Sequence, residues 1–325
     1  MRYLITGGCG FIGSHLAEHL IGGGHEVVVL DNLSTGRYEN VAQLDGRADF
    51  QLLIGSVLDA DLVAEAMRPC DAVFHLASAV GVRLIMERPV QTIETIFKGT
   101  DVVLGIAARY RKRVLLTSTS EVYGKSADVP FQEDGDRLEG PTHKHRWAYA
   151  CAKALDEFLA LAHWKEARLP VIVTRLFNTV GPRQTGQYGM VIPNFVNAAL
   201  AGDPICVHGD GQQTRCFAHV LDVVEAISAL ISCPAALGQV INVGSSEEVS
   251  MLALAQRVKA LTHSESPIRL VPYAEVYGSG FEDMLRRTPS TKKIAGLIGW
   301  TPRRNLDVIL KDVIDFVRQS MAETV

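Results

Sequence analysis

Arg2-Tyr-Leu-Ile-Thr-Gly-Gly-Cys-Gly-Phe-Ile-Gly-Ser-His-Leu16 decides the fold of this chain. Tyr3–Thr6 is a short apolar run that reads as a buried strand, and Phe11–Gly22 has the periodicity of a helix. Between them, Gly7-Gly-Cys-Gly-Phe-Ile-Gly13 joins a strand end to a helix start, the setting a dinucleotide-binding turn requires. Glycine permits the tight turn and lets the backbone approach a pyrophosphate held at the helix N-terminus. Asp31 closes the second strand, Glu26–Leu30, about 18 residues beyond Gly13. A carboxylate there can accept from a ribose 2′-hydroxyl and repels a 2′-phosphate, so NAD is expected rather than NADP.

Outward from this unit, Asp71–Leu76, Arg113–Thr117 and Pro170–Arg175 read as further buried parallel strands. Leu62–Met67, Val90–Tyr110 and Ala148–Arg168 have helical periodicity or length. Repeated βα units predict an α/β fold, a Rossmann-type doubly wound parallel sheet. After Asn178 the pattern loosens into Gly/Pro-punctuated loops with helices at Val191–Ala201, Val220–Ile231, Ser250–Leu261 and Leu306–Met321, with Ser250 and Asn305 as N-caps. The expected division is an NAD-binding half over 1–176, with a return segment over 219–243 in which Gln239–Val243 rejoins the sheet. A smaller, interleaved α/β substrate domain then takes most of 177–325.

The 325 residues are 47% hydrophobic, enough for one large or two smaller cores. A net charge of −4 and a pI near 6.2 give no support for nucleic-acid binding by bulk charge. Cys9, Cys70, Cys151, Cys206, Cys216 and Cys233 have no metal-ligand spacing, so free thiols and no metal are expected. No apolar run approaches the roughly 20 residues a membrane span needs. Met1 leads straight into a strand rather than a signal peptide, so a soluble, cytoplasmic protein without a membrane partner is expected.

Tyr149-Ala-Cys-Ala-Lys153 follows Thr117-Ser-Thr-Ser-Glu-Val-Tyr-Gly124 by about 30 residues. A tyrosine and a lysine four apart share a helix face, where the lysine's charge can lower the phenol pKa and make Tyr149 a general base or acid. Alone, that spacing describes any amphipathic helix; the glycine turn and the hydroxyl-rich strand end lend it meaning. His75, in His75-Leu-Ala-Ser78, reads as a packed strand-end histidine without chemistry. His143-Lys-His-Arg-Trp147 reads as a solvated loop leading into the Tyr149 helix.

Taken together, Gly7–Leu16, Asp31-Asn-Leu-Ser-Thr-Gly36, His75–Ser78, Thr117–Gly124, Tyr149–Lys153 and Arg175-Leu-Phe-Asn-Thr-Val-Gly-Pro-Arg183 resemble the extended short-chain dehydrogenases of nucleotide-sugar metabolism. Gly211-Gln-Gln-Thr-Arg-Cys-Phe217 and Gly280-Phe-Glu-Asp-Met-Leu-Arg-Arg-Thr-Pro289 extend the likeness over nearly the whole chain, and within the group it looks most like UDP-glucuronate decarboxylases. The resemblance implies NAD held by Gly7, Gly10, Phe11, Ile12, Gly13, Asp31, Asn32, Ser34, Thr35, Gly36, Ser56, Val57, Leu76, Ala77, Ser78, Thr117, Tyr149 and Lys153. It also implies a UDP-sugar met by Thr119, Glu121, Asn178, Arg183, Val191, Arg215 and Arg287, a flexible lid at Gly186–Met190 with Tyr188 near the substrate, and a homodimer built from the helices at Val90–Tyr110 and Ala148–Arg168.

The mechanism so implied is oxidation at sugar C4 by NAD while Tyr149 takes the hydroxyl proton, Lys153 bonds the nicotinamide ribose and Thr119 hydrogen-bonds the same oxygen. Glu121 then sits near C5 and the departing carboxylate, Arg215 on the diphosphate and Arg287 close to the reacting sugar. Ser120 stands where a 4,6-dehydratase carries its acid, which argues against dehydration. Trp147, in a stretch similar to that of relatives forming 4-keto pentoses, is expected over the site. Ile96 departs from the Asn of many relatives, without an expected effect on the catalytic positions. Two other functions use the same residues: a UDP-hexose or UDP-hexuronate 4-epimerase, and a non-catalytic NAD(H)-sensing protein.

Overall fold

A computed structural model describes residues 1–78, 88–187, 189–277 and 282–323. Its centre is a seven-stranded sheet built from β1 (Arg2–Thr6), β2 (Glu26–Asp31), β3 (Phe50–Ile54), β4 (Ala72–His75), β5 (Arg113–Thr119), β6 (Val171–Leu176) and the strand Val240–Val243. Across the sheet the order is Val240–Val243, β6, β5, β4, β1, β2, β3, with every pairing parallel. The chain runs outward from β1 in both directions, so the strand order reverses between β1 and β4. That reversal opens a crevice at the carboxyl ends of the strands, where α/β sheets bind ligands.

The sheet's two faces follow from the strand period of two. Tyr3, Ile5, Val27, Val29, Phe74, Leu115 and Ile172 pack on one side with Leu16, Ala17 and Leu20 of the helix Phe11–Gly22 and with the helix Val220–Ile231. Leu4, Val28, Leu30, Val73, Val114, Leu116 and Val171 pack on the other with Val63, Ala66 and Met67 of the helix Ala60–Met67 and with Val103, Leu104 and Ala107 of the helix Pro89–Tyr110. Both faces are covered, which is why the strands read as continuous apolar runs rather than alternating ones.

A separate core gathers Ile192, Phe195 and Val196 of the helix Val191–Ala201, Leu254 and Val258 of the helix Met251–Thr262, and Ile309, Leu310 and Val313 of the helix Leu306–Glu323. Ser250 accepts from the Ala253 amide at 3.2 Å and Asn305 from the Val308 amide at 3.1 Å, the caps expected at those helix starts. Gln239–Val243 does rejoin the sheet, its strand lying beside β6. The edge strand β3 escaped the sequence reading because its residues are half-buried or exposed and carry no continuous apolar run. The parallel pair Ile205–His208 and Ile268–Val271 escaped it because their partly exposed residues break the apolar run.

Candidate active site

The glycine turn is built for a close neighbour. Gly7 has φ +74°, and a Cβ there would lie 2.8 Å from the Ala77 amide nitrogen. A Cβ on Gly13 would lie 2.3 Å from the Gly7 carbonyl oxygen. Only glycine lets the turn fold this tightly and leave the helix N-terminus open. Asp31 ends β2, nearly buried, and accepts from the amides of Cys9 at 2.9 Å and Leu33 at 2.8 Å. Burial pushes its pKa up while those two amides pull it down.

These groups line one end of a cavity of about 1080 Å³ that continues past β5 into the second core. Every expected cofactor or substrate residue lines it except Gly36, which packs against the Asp31 carboxylate, 3.0 Å from where its Cβ would be. Ser78 Oγ is buried without a partner among the described residues. The glycine cradle, the Asp31 carboxylate and this orphan hydroxyl fit a dinucleotide with free ribose hydroxyls. Among the described residues no cluster of His, Cys, Asp or Glu could hold a metal ion.

Mid-cavity, β5 and the helix Arg146–Ala167 bring Thr119, Tyr149 and Lys153 to one wall. Tyr149 is hydrogen-bonded to Thr119, and burial together with the negative charge of Glu121 holds its phenol well above the usual range. Thr119 Oγ1 also accepts from the Glu121 amide at 3.2 Å. The expected influence of Lys153 on Tyr149 is not the leading one: Lys153 Nζ is turned to Asp156 Oδ2 at 3.1 Å, and both side chains are buried. Ile96 also departs from expectation. It shares a small buried apolar cluster with Tyr149 and Ala152, so the substitution does reach a catalytic position.

Beyond Tyr149 lies a knot of charge that the sequence reading only half anticipated. Glu121 is paired with Arg287 and, at 3.0 Å, with Arg146. Arg146 reaches Asp283 at 3.2 Å, and Arg215 grips both Asp283 oxygens at 2.9 Å. Tyr273 donates to the same carboxylate at 2.9 Å. Although burial opposes it, the three arginines hold Glu121 as a carboxylate, its pKa down at about 2. With three cations against two anions, the knot has one positive charge in excess.

Arg146 and Asp283 were missed. His143-Lys-His-Arg-Trp147 is not simply a solvated loop: His143 and His145 are exposed, but Arg146 opens the helix nearly buried. Trp147, expected over the site, is instead buried among Tyr123, Phe131 and Phe177, donating to Glu282 at 3.0 Å, and does not line the cavity. A signal existed, since residues 146, 149 and 153 are three and seven positions apart and share one helix face. Asp283 lies within the Gly280–Pro289 stretch quoted for its likeness, but a loop acid carries no periodicity to single it out.

The other expected residues take supporting places. Asn178 donates to the Cys216 carbonyl at 2.8 Å, and Val191 begins a helix whose first turn faces the cavity. Arg183 lines the cavity in a left-handed backbone conformation, φ +69°, but its guanidinium is held by Glu18 at 2.6 Å and Ser14 at 3.3 Å of the first helix. Tyr188 lies outside the described residues.

A family model described as GDP-mannose 4,6 dehydratase matches residues 4–313. A UDP-N-acetyl-alpha-D-glucosaminuronate decarboxylase from Bacillus cytotoxicus is 44% identical over 98% of both chains. The UDP-glucuronic acid decarboxylase 1 of Danio rerio is 37% identical over 98% of this chain and 73% of its own. Among solved structures, a dTDP-glucose 4,6-dehydratase from Streptomyces venezuelae with NAD bound superposes with a TM-score of 0.90 at 28% identity, covering 99% of this chain and 98% of that one. A model matched over most of the chain, a relative this similar over its full length, and a site assembled around Tyr149 and Lys153 lead to one assignment: the chain belongs to the family of nucleotide-sugar short-chain dehydrogenases described by that model, with sugar-nucleotide decarboxylases as its relatives.

Proposed function

We propose that this chain is an NAD-dependent decarboxylase of UDP-glucuronate, working through a UDP-4-keto intermediate to UDP-xylose and releasing UDP-4-keto-pentose as a second product. The observation that carries the reading is Glu121, an ionised carboxylate wedged between Arg146 and Arg287 on the far side of Tyr149 and Thr119. NAD, when bound at the glycine turn, supplies acceptance and return of hydride at C4. Tyr149 and Thr119 meet the C4 oxygen, Tyr149 taking its proton as the ketone forms.

A 4-ketone makes the C6 carboxylate a β-keto acid. The C5–C6 bond then breaks, CO2 leaves, and the electron pair moves into an enolate whose charge rests on the C4 oxygen. Thr119 and the now-protonated Tyr149 are the donors that stabilise it, a proton from water at C5 completes the 4-keto pentose, and Tyr149 returns its proton to the C4 oxygen as C4 is reduced. Glu121 gives the departing carboxylate a like-charged neighbour, an interaction that disappears as neutral CO2 forms, so it favours the transition state over the ground state. The excess positive charge of the arginine knot suits the diphosphate and the uronate on approach.

A second reading has one specific support, the 44% identity to a decarboxylase named for UDP-N-acetyl-alpha-D-glucosaminuronate: the sugar carries an acetamido group at C2. The chemistry at C4 to C6 is unchanged. Mass spectrometry of products from UDP-glucuronate, its 2-acetamido counterpart and a panel of UDP-hexoses tests both. A product lighter by CO2 supports decarboxylation and names the sugar. An unchanged mass with a new retention time replaces it with 4-epimerisation, and no turnover of any sugar replaces it with NAD(H) sensing. Net absorbance at 340 nm reports release of the 4-keto product.

Val90 and Ile93 on the helix Pro89–Tyr110, and Leu155 and Phe158 on the helix Arg146–Ala167, are exposed, Val90 by 70% and Phe158 by 62%. Large apolar side chains facing water on two packed helices support a homodimer through that pair. Six free cysteines suit a reducing cytoplasm. Residues 1–176 with 219–243 would serve the cofactor, and most of 177–325 the UDP-sugar.

A further inference from the structure

Lys153 is held from below by a buried chain of polar groups that the proposed mechanism does not use. Its ammonium meets Asp156 Oδ2 at 3.1 Å, and Thr100 Oγ1 donates to the same oxygen at 2.9 Å. Thr100 Oγ1 lies 3.2 Å from His75 Nε2, and His75 Nδ1 lies 2.7 Å from Thr6 Oγ1. Thr6 Oγ1 in turn accepts from the Ala77 amide at 3.3 Å. All four side chains beneath Lys153 are at most 1% exposed.

The proton positions along this chain follow from donor counting. Thr100 spends its one hydroxyl proton on Asp156, so its oxygen accepts from His75 Nε2–H. A neutral His75 then has an unprotonated Nδ1, which accepts from the Thr6 hydroxyl. Burial, reinforced by the charge of Lys153, pushes the His75 pKa down to about 3, which fits the neutral ring. Every bond points the same way, from the Ala77 amide at the cofactor turn to the carboxylate under Lys153. Asp156 Oδ1 has no partner among the described residues, so Lys153 and Thr100 compensate this carboxylate through its other oxygen.

We propose that Asp156 is a positioning residue for catalysis: braced by Thr100, His75 and Thr6, it fixes the Lys153 ammonium in place. The role rests on the proposed oxidation at C4, in which Lys153 serves Tyr149. Besides Lys153, Glu157 acts on Asp156, and Asp156, Glu121 and Arg287 all act on Tyr149, with Asp156 and Glu121 holding the phenol protonated and Arg287 opposing them.

Asp156→Asn tests this by removing the charge while keeping the shape. A Lys153 no longer fixed should lower kcat on the order of 10- to 100-fold, with KM for the UDP-sugar nearly unchanged. Loss of the negative charge also lets Tyr149 ionise at lower pH, so the acid limb of the kcat profile should move to lower pH. Thr100→Val, which keeps both charges, should reproduce a milder loss, and Thr100→Ser should restore the rate.

A readout without substrate is the Lys153 ammonium signal in ¹⁵N-lysine-labelled protein, assigned with Lys153→Arg. It should be present in the wild type and lost in Asp156→Asn. A lower melting temperature with an unmoved kcat, pH limb and ammonium signal would overturn the proposal. A wild type that oxidises no UDP-sugar while the signal still depends on Asp156 would instead overturn the C4 oxidation and leave the positioning role standing.

Discussion

Glu121 and Tyr149 are near neighbours with opposed requirements. The phenol must lose its proton beside a carboxylate that resists the loss, and the arginines resolve the conflict by holding Glu121 in an ion-paired knot. Glu121→Gln should therefore stop CO2 release by two orders of magnitude or so while C4 oxidation persists; following NADH at 340 nm beside trapped CO2 separates the two steps. The same pairing has a stability signature. Glu121 has a folded pKa of about 2 against an ordinary 4.5, so its contribution is complete above 4.5 and is lost as pH falls through about 2. Thermal melts across that window should fall more steeply with acid for wild type than for Glu121→Gln. Equal slopes would mean that the knot adds no net stability.

At the level of elements, the strand–glycine turn–helix unit is the most demanding part of the fold. A methyl group on Gly13 would meet the Gly7 carbonyl at 2.3 Å, a backbone atom that cannot swing aside. Gly13→Ala should cost on the order of 1–3 kcal/mol and abolish retention of NAD, read by extracting nucleotide from purified protein; retention of the wild-type amount would refute the cradle. The helix Arg146–Ala167 works differently. One face carries Arg146, Tyr149, Lys153 and Asp156, so a single rigid rod joins the charge knot, the base and the buried polar chain. Helical spacing puts Arg146 and Asp156 on the Tyr149 face, but four isolated polar letters look like a solvated face until tertiary packing buries them. Half-exposed strands such as Phe50–Ile54 were hidden for the converse reason, since they lack the apolar run that marks a buried strand.

Across the whole molecule, two cores meet along the cavity, and the exposed Val90, Ile93, Leu155 and Phe158 fall on the two long helices beside it. Phe158→Asp with Leu155→Asp should convert the proposed dimer to a monomer, seen by light scattering, with each protomer still folded; an unchanged dimer would move the interface elsewhere, and a wild-type monomer would refute it. The sequence by itself determined the parallel sheet, the glycine turn, the acid at the end of β2 and the Tyr149–Lys153 pair, because each is encoded by local periodicity or fixed spacing. Only the tertiary structure decided what those residues touch. It set Asp283 against Arg146 and Arg215, turned Lys153 toward Asp156, and packed Ile96 with Tyr149. These contacts join positions from three to well over a hundred residues apart, and what they do depends on burial. A charge in water is screened, whereas the same charge enclosed in a core must find a partner, and the fold chooses which one.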